Sequence, residues 1–354
     1  MTLKKIGGYQ VVKPLGSGGM GDVYFAVSAT ADRVALKVIK QHLIEAPTVR
    51  ERFATEVESL KLVYGSRVAR LEDADAFADP AWLAVEYVPG ATLRQHVDAH
   101  GPLPVALAAM AGAMLADGLA KVHQVKLLHR DLKPQNIILG PDGPKVIDFG
   151  LAVLVERDDY LTEPGALIGT PAYMSPEQVR GERDLTPAVD IYGLGATLVF
   201  ALTGHGLYPP TNSWNLLLRI SEPGDLPDLS GVPEELIGLL GAMLAFDPTA
   251  RPSLDVARTR LLEVATAVSG KDVVDLRREV CELTYHGDTE VLIPPDLSDP
   301  QRDPEGTTVV EEENAPVPET TPTKVDPELP TKTQADVTWL VDKVRRQYAR
   351  RSTL

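Results

Sequence analysis

The residues with most chemistry to offer lie in LLHRDLKPQNIIL, residues 127–139, where His129, Arg130, Asp131, Lys133 and Asn136 stand between two apolar pairs. Flanks that favour burial around a charged centre suit neither a surface loop nor a core strand. They suit a short loop at the bottom of a cleft, with each polar side chain aimed at a substrate. A second candidate is LGSGGMGDVY, in which Gly16, Gly18 and Gly21 keep the spacing G-x-G-x-x-G ahead of Val23. Glycines at a turn let backbone amides approach phosphate oxygens with no Cβ in the way. The same spacing opens dinucleotide-binding folds, but there the glycines start a helix. Here a strand-like run follows, so a hairpin is expected. Third, VALK places Lys37 behind three apolar residues on a strand, which buries its stem and leaves its ammonium in need of a partner. Glu56, beside the helical stripe Val49, Phe53, Val57 and Leu60, is a candidate partner, with a solvated surface glutamate as the alternative.

The elements that must position these groups can be read around them. YQVVKPL, DVYFAV and RVALKVI are β-type runs separated by glycines and by SATAD, which predicts an antiparallel meander. WLAVEYVPG reads as a buried strand leaving through a Pro-Gly turn, a natural connection between two lobes. VALAAMAGAMLA, residues 105–116, is too short to span a bilayer and reads as a buried helix. The 44% hydrophobic fraction of the 354 residues supports a real core. One cysteine, Cys281, excludes an internal disulfide framework and a cysteine-cluster zinc site, and reads as a small apolar filler. MTLKKIGGYQ has no apolar stretch behind its lysines, so no signal peptide is expected and the expected location is the cytoplasm. Of the net charge of −15, the stretch from Glu282 to Asp336 contributes −11, with 14 acids against 3 bases, and it holds nine prolines. Such a segment cannot bury enough surface to fold, so the folded part should end near residue 265 to 283. The remainder is only mildly acidic, and no nucleic-acid surface is expected.

HRDLKPQN, VIDFG (146–150) and GTPAYMSPEQ (169–178), with the glycine loop and VALK upstream in order, resemble the signature set of protein kinases. Over about residues 9–265 the chain is similar to bacterial Hanks-type (eukaryotic-like) serine/threonine protein kinases, soluble actinobacterial members in particular. The resemblance implies an α+β, two-lobed protein kinase fold, with a small β-rich N-lobe at about 9–86 and a large α-helical C-lobe at about 89–265. Beyond it are expected a helical extension (266–283), a disordered acidic Pro/Thr-rich linker (284–335) and a basic amphipathic helix (336–351). The implied reaction moves the ATP γ-phosphate to Ser/Thr hydroxyls of proteins, including the kinase itself, with Mg2+ or Mn2+.

By the same resemblance, Asp131 receives the proton of the attacking hydroxyl, Lys133 reaches the γ-phosphate, and Asn136 and Asp148 hold the metal ions. Lys37 grips the α- and β-phosphates and is positioned by Glu56. The loop Leu15, Gly16, Ser17, Gly18, Gly19, Met20 and Gly21 covers the nucleotide, and Val23, Ala35 and Ile138 sandwich adenine. Val85 takes the gatekeeper position, and Glu86 to Val88 form the hinge. Glu177 and Arg251 match a buried ion pair that anchors the C-lobe, and Asp190 matches a residue that ties the catalytic loop to a central helix. Arg130 implies activation through an acidic or phosphorylated loop. Thr162 is the better phosphosite candidate there, and Thr170 the threonine whose hydroxyl bonds Asp131 and Lys133.

Partners are expected to be protein substrates and, through an N-lobe contact, a second copy of the chain. The linker threonines suggest a docking strip for phosphothreonine-reading modules, with a passive spacer as the alternative. For the last helix, whose apolar face carries Val337, Leu340, Val341, Val344 and Tyr348, a protein contact is favoured over a membrane surface. A hydrolase reading lacks G-x-S-x-G or H-E-x-x-H, and a pseudokinase reading must face the fact that none of Lys37, Glu56, Asp131, Asn136 and Asp148 has decayed.

Overall fold

A computed structural model of the chain describes residues 5–149 and 171–283. The expectations placed on Thr162, Thr170, the linker and the last helix lie outside the described residues.

The N-lobe is built on β1 (Lys5–Ile6), β2 (Tyr9–Ser17), β3 (Gly21–Val27), β4 (Arg33–Ile39), β5 (Leu71–Asp75) and β6 (Trp82–Glu86), in the sheet order β1-β2-β3-β4-β6-β5. All pairings are antiparallel, as the meander predicted. Side chains alternate across a sheet, so the register assigns the faces. Val23 pairs with Lys37, Lys37 with Leu83, and Ala35 with Val85, which puts Val23, Ala35, Lys37 and Val85 on one face. The opposite face carries Ala26, Val34, Leu36, Trp82 and Ala84, which pack with Ile6 from β1 into a core of their own.

Helix α1 (Pro47–Leu60) opens with proline at a position where its missing N–H and fixed φ cost nothing. It lies on the Lys37 side of the sheet, where Val49, Phe53 and Val57 pack with Ile39 and Leu83. The helix stripe and the lysine strand therefore share one layer.

The C-lobe begins with β7 (Ala91–Thr92) and α2 (Leu93–His100), followed by α3 (Val105–Gln124), β8 (Ile137–Gly140) and β9 (Gly143–Val146). A three-stranded sheet, β7-β8-β9, frames the charged loop. Then come α4 (Pro176–Val179), α5 (Ala188–Thr203), α6 (Ser213–Ser221), α7 (Glu234–Met243), α8 (Leu254–Ser269) and α9 (Val273–Glu282). Helix α3 extends well beyond the run at 105–116. By length and composition it could cross a membrane, but most of it is buried inside the lobe against α5 and α8. Nearly every residue of α5 is buried too, and the helix stops at Gly204, whose left-handed φ of 77° closes it without Cβ strain.

Two further helices close the lobe at its C-terminal end. Helix α8 runs through residue 265 to Ser269, and α9 buries Leu276 and Val280 in the same core as α3. The extension is thus part of the lobe, because two apolar residues one turn apart suffice to seat a short helix on an existing core.

One loop contact makes this lobe sensitive to pH. His205 Nδ1 lies 2.9 Å from the Gly206 carbonyl and Nε2 lies 2.8 Å from the Ser230 carbonyl. Carbonyl oxygens only accept, so both ring nitrogens must donate, and the imidazolium fits this site. The bond to Gly206 leads the effects that raise the His205 pKa above its ordinary 6.5, against partial desolvation. A raised histidine pKa stabilises the fold fully below the ordinary value and loses that contribution as pH rises through the folded one. The melting temperature of wild type should therefore exceed that of His205→Gln in mild acid, and the gap should close toward alkaline pH. A pH-independent gap would refute the doubly donating imidazolium.

Candidate active site

The loop between α3 and β8 is held from below by Asp190, in the first turn of α5 and fully buried. Its carboxylate accepts from the backbone N–H groups of His129 and Arg130, each at 2.8 Å, and lies 2.8 Å from His123 Nε2. Burial alone would push this carboxyl up, yet the bonds and charge from His123 and the amide of His129 outweigh it and hold the pKa below the ordinary range. Arg130 has φ of 63°, a left-handed conformation unfavourable for a residue with a side chain, and the Asp190 bonds help hold it there.

His129 is almost wholly buried and links the loop to the next strand. Its Nε2 faces the Ile147 carbonyl at 3.0 Å, and its Nδ1 accepts from the Asp131 N–H at 3.2 Å. Those neighbours fix the tautomer with the proton on Nε2. Phe149 stacks edge-on against the same ring, with centroids 4.3 Å apart.

On this base three polar side chains converge. Lys133 Nζ donates to both Asp131 carboxylate oxygens, at 2.9 and 2.7 Å. Asn136 Nδ2 donates to the Asp131 carbonyl at 2.8 Å and to Oδ2 at 3.2 Å, from a short 3-10 turn, Pro134–Asn136. The charges that looked out of place between apolar flanks are thus satisfied by one another, while Leu127, Leu132, Ile137 and Leu139 supply the burial.

Lys37 is 6% exposed and forms an ion pair with Asp148 Oδ2 at 3.0 Å. Lys37 thus has in Asp148 a partner that the sequence reading did not name. Each helical residue turns 100° from the last. Glu56 precedes Val57, which points into the sheet, so it sits at the margin of the buried stripe, half-buried and with an interaction of its own. Asp148, with φ of 65°, is turned toward the lysine by its own backbone.

The glycine loop divides into two kinds of glycine. None of Gly16, Gly18 and Gly21 has a positive φ, so conformation alone demands none of them. A Cβ on Gly21 would lie 2.2 Å from the Val38 carbonyl oxygen, whereas one on Gly16 or Gly18 would meet nothing within 4 Å. Gly21 is explained by close strand pairing; the other two leave open space at the loop. Gly21→Ala should therefore cost about 1–3 kcal/mol of stability as strands β3 and β4 part. Gly16→Ala and Gly18→Ala should stay within about 0.5 kcal/mol of wild type but raise KM for ATP. An unchanged KM would remove phosphate contact as the reason for those two glycines.

Around these, Ser17 Oγ donates to Asp22 at 2.6 Å, Lys40 Nζ donates to the Gly18 carbonyl at 2.7 Å, and Met20 packs with the α1 core. Leu15 is exposed, as is Gly19 at the loop tip; Val88 is buried and Ile138 half-buried on β8. The Glu86 side chain is committed elsewhere: it pairs with Lys145 of β9 and accepts from the Arg70 N–H at 3.3 Å. Sequence reasoning missed Lys145, although an isolated lysine in the apolar stretch GPKVI marked it for pairing. It also missed His123, for which no local signal exists.

Below the site, Glu177 and Arg251 form a bidentate ion pair at 2.6 and 2.8 Å with their side chains 3% and 0% exposed. Arg251 also donates to the Ala188 and Ala245 carbonyls, each at 2.9 Å.

A small antiparallel lobe joined to a helical lobe, with a lysine from the first paired to an aspartate of the second, is the two-lobed protein kinase fold. The chain belongs to the protein kinase domain family, which matches residues 9–261. It is 42% identical over 250 residues to the serine/threonine-protein kinase AfsK of Streptomyces coelicolor, covering 71% of this chain and 31% of that protein. It is 43% identical over 246 residues to AfsK of Streptomyces griseus, covering 70% of this chain and 30% of that one. The chain thus spans less than a third of either relative. The crystal structure of the Mycobacterium tuberculosis PknI kinase domain matches with a TM-score of 0.61 at 26% identity, over 75% of this chain and 98% of that one. The resemblance to bacterial Hanks-type kinases is therefore correct.

Proposed function

We propose that this chain is a serine/threonine protein kinase that transfers the γ-phosphate of ATP to serine and threonine hydroxyls of proteins, itself among them. The observation that carries the reading is the convergence of Lys133 and Asn136 on the Asp131 carboxylate, on a loop immobilised by Asp190. In this reading Asp131 orients the attacking hydroxyl and takes its proton as the oxygen reaches the γ-phosphorus. Lys133 screens the charge that develops on the transferring group, and the buried Lys37 holds the α- and β-phosphates. A kinase domain implies a divalent metal, and the donors here suit one: Asn136 uses its amide nitrogen on Asp131, so its oxygen and the Asp148 carboxylate offer the hard ligands Mg2+ takes. Bound there, the metal would neutralise phosphate charge. The lysine two residues after Asp131 supports a Ser/Thr rather than a Tyr acceptor. Action in the cytoplasm, phosphorylation of Thr162, docking through the tail threonines and an N-lobe dimer belong to the same proposal.

The test is incubation of the purified chain with Mg-ATP, followed by mapping of incorporated phosphate. Phosphoserine or phosphothreonine, lost in Lys37→Met, is expected. Nucleotide binding without phosphate transfer would make the chain a scaffold, and no nucleotide binding at all would overturn the proposal.

A further inference from the structure

The peptide that carries Asp131 is fixed at both of its polar ends. Its N–H goes to His129 Nδ1. Its carbonyl, that of Arg130, accepts from the side chain of Gln178, whose Nε2 lies 2.7 Å away and comes from 48 residues downstream. The orientation of that side-chain amide is dictated by its neighbours. Gln178 Oε1 accepts from the Ser175 N–H at 3.1 Å and the Ser175 hydroxyl at 3.2 Å, so only Nε2 can meet a carbonyl. Ser175 is fully buried, and Glu177, next in the same short helix α4, is locked to Arg251. Gln178 is therefore a strut with a fixed foot.

That strut bears on a strained point. Arg130 is held at φ of 63°, and rotation of the peptide after it would relieve the strain while turning Asp131 away from Lys133 and Asn136. We infer that Gln178 is a positioning residue for phosphoryl transfer, which couples the segment at 171–178 to Asp131 by holding the Arg130–Asp131 peptide. This rests on the role proposed above for Asp131. A catalytic group displaced by a fraction of an ångström loses rate without losing nucleotide affinity.

Gln178→Glu separates this role from helix capping. The introduced carboxylate still accepts from the Ser175 N–H, as glutamate does at this helix position, but its other oxygen faces the Arg130 carbonyl with no proton to donate. Steady-state kinetics should show kcat lowered about 10- to 100-fold, with KM for ATP within about twofold. When that carboxyl is protonated it can donate to the carbonyl again. The kcat ratio of variant to wild type should therefore recover as pH falls from about 8 to about 6, because a carboxyl against a carbonyl oxygen titrates high. Gln178→Leu, which cannot donate at any pH, should show a loss with no such recovery. A kcat within twofold of wild type in Gln178→Glu, while Asp131→Asn is inactive, would overturn the strut and leave the kinase reading intact. A pH-independent loss in both Gln178 variants would overturn it as well, since that marks a structural role. Full activity of Asp131→Asn would instead remove the kinase reading of the loop.

Discussion

Replacing Asp131 by asparagine should lower the phosphoryl-transfer rate about a thousandfold, the range expected for removal of a general base, while nucleotide affinity barely moves. Asparagine keeps the shape of the side chain and leaves the supports of the loop in place, since Asp190 and His129 hold backbone atoms of residues 129–131. The change removes a proton acceptor and the negative charge that draws Lys133 to 2.7 Å. Lys37 and the glycine loop lie in the other lobe and are untouched, so ATP binding is spared. The measurement is kcat with a saturating protein substrate beside a nucleotide titration of the same sample. A variant that keeps more than about a tenth of the wild-type rate would show that proton acceptance at residue 131 does not limit the reaction.

How far the sequence revealed this site follows from how local each interaction is. Asp131, Lys133 and Asn136 were legible together because one loop of six residues carries all three and their spacing survives folding. The stripe Val49, Phe53, Val57 and Leu60 was legible because helical periodicity alone defines a face. Periodicity within one helix says nothing of Asp148, far downstream of Lys37, and so the Lys37–Asp148 pair was not foreseen. The His123–Asp190 contact joins residues 67 apart through the packing of α3 on α5, and no window of sequence contains it. Gln178 was quoted within a motif, but its partner is a backbone carbonyl, which every residue has and no side-chain pattern can announce. Helix α9 was placed in a helical extension because the resemblance ends near residue 265. What seats it could not be read there: Leu276 and Val280 are buried in the core that α3 supplies.

The largest loss of stability is expected from Arg251→Ala, about 3–5 kcal/mol, the range for removing one partner of a buried ion pair. The two side chains are essentially excluded from water, so the Glu177 carboxylate left behind has no solvent to replace the guanidinium. The Ala188 and Ala245 carbonyls lose a donor in the same step. Burial would push the Glu177 carboxyl up, but the Arg251 hydrogen bonds and charge hold its pKa below the ordinary 4.5. A depressed carboxyl stabilises the fold above the ordinary value and loses that contribution as pH falls through the folded one. The stability gap between wild type and Arg251→Ala should accordingly narrow on acidification below about pH 4.5. Because α4 carries both Glu177 and Gln178, loosening this pair should also release the strut on Arg130, and the folded fraction of Arg251→Ala should show a lowered kcat with KM for ATP retained. Denaturant titration across pH gives the first quantity, and kinetics at low temperature give the second. A loss under about 1 kcal/mol would mean that water reaches the pair and screens it as at a surface, and the anchoring of α4 would have to be sought elsewhere.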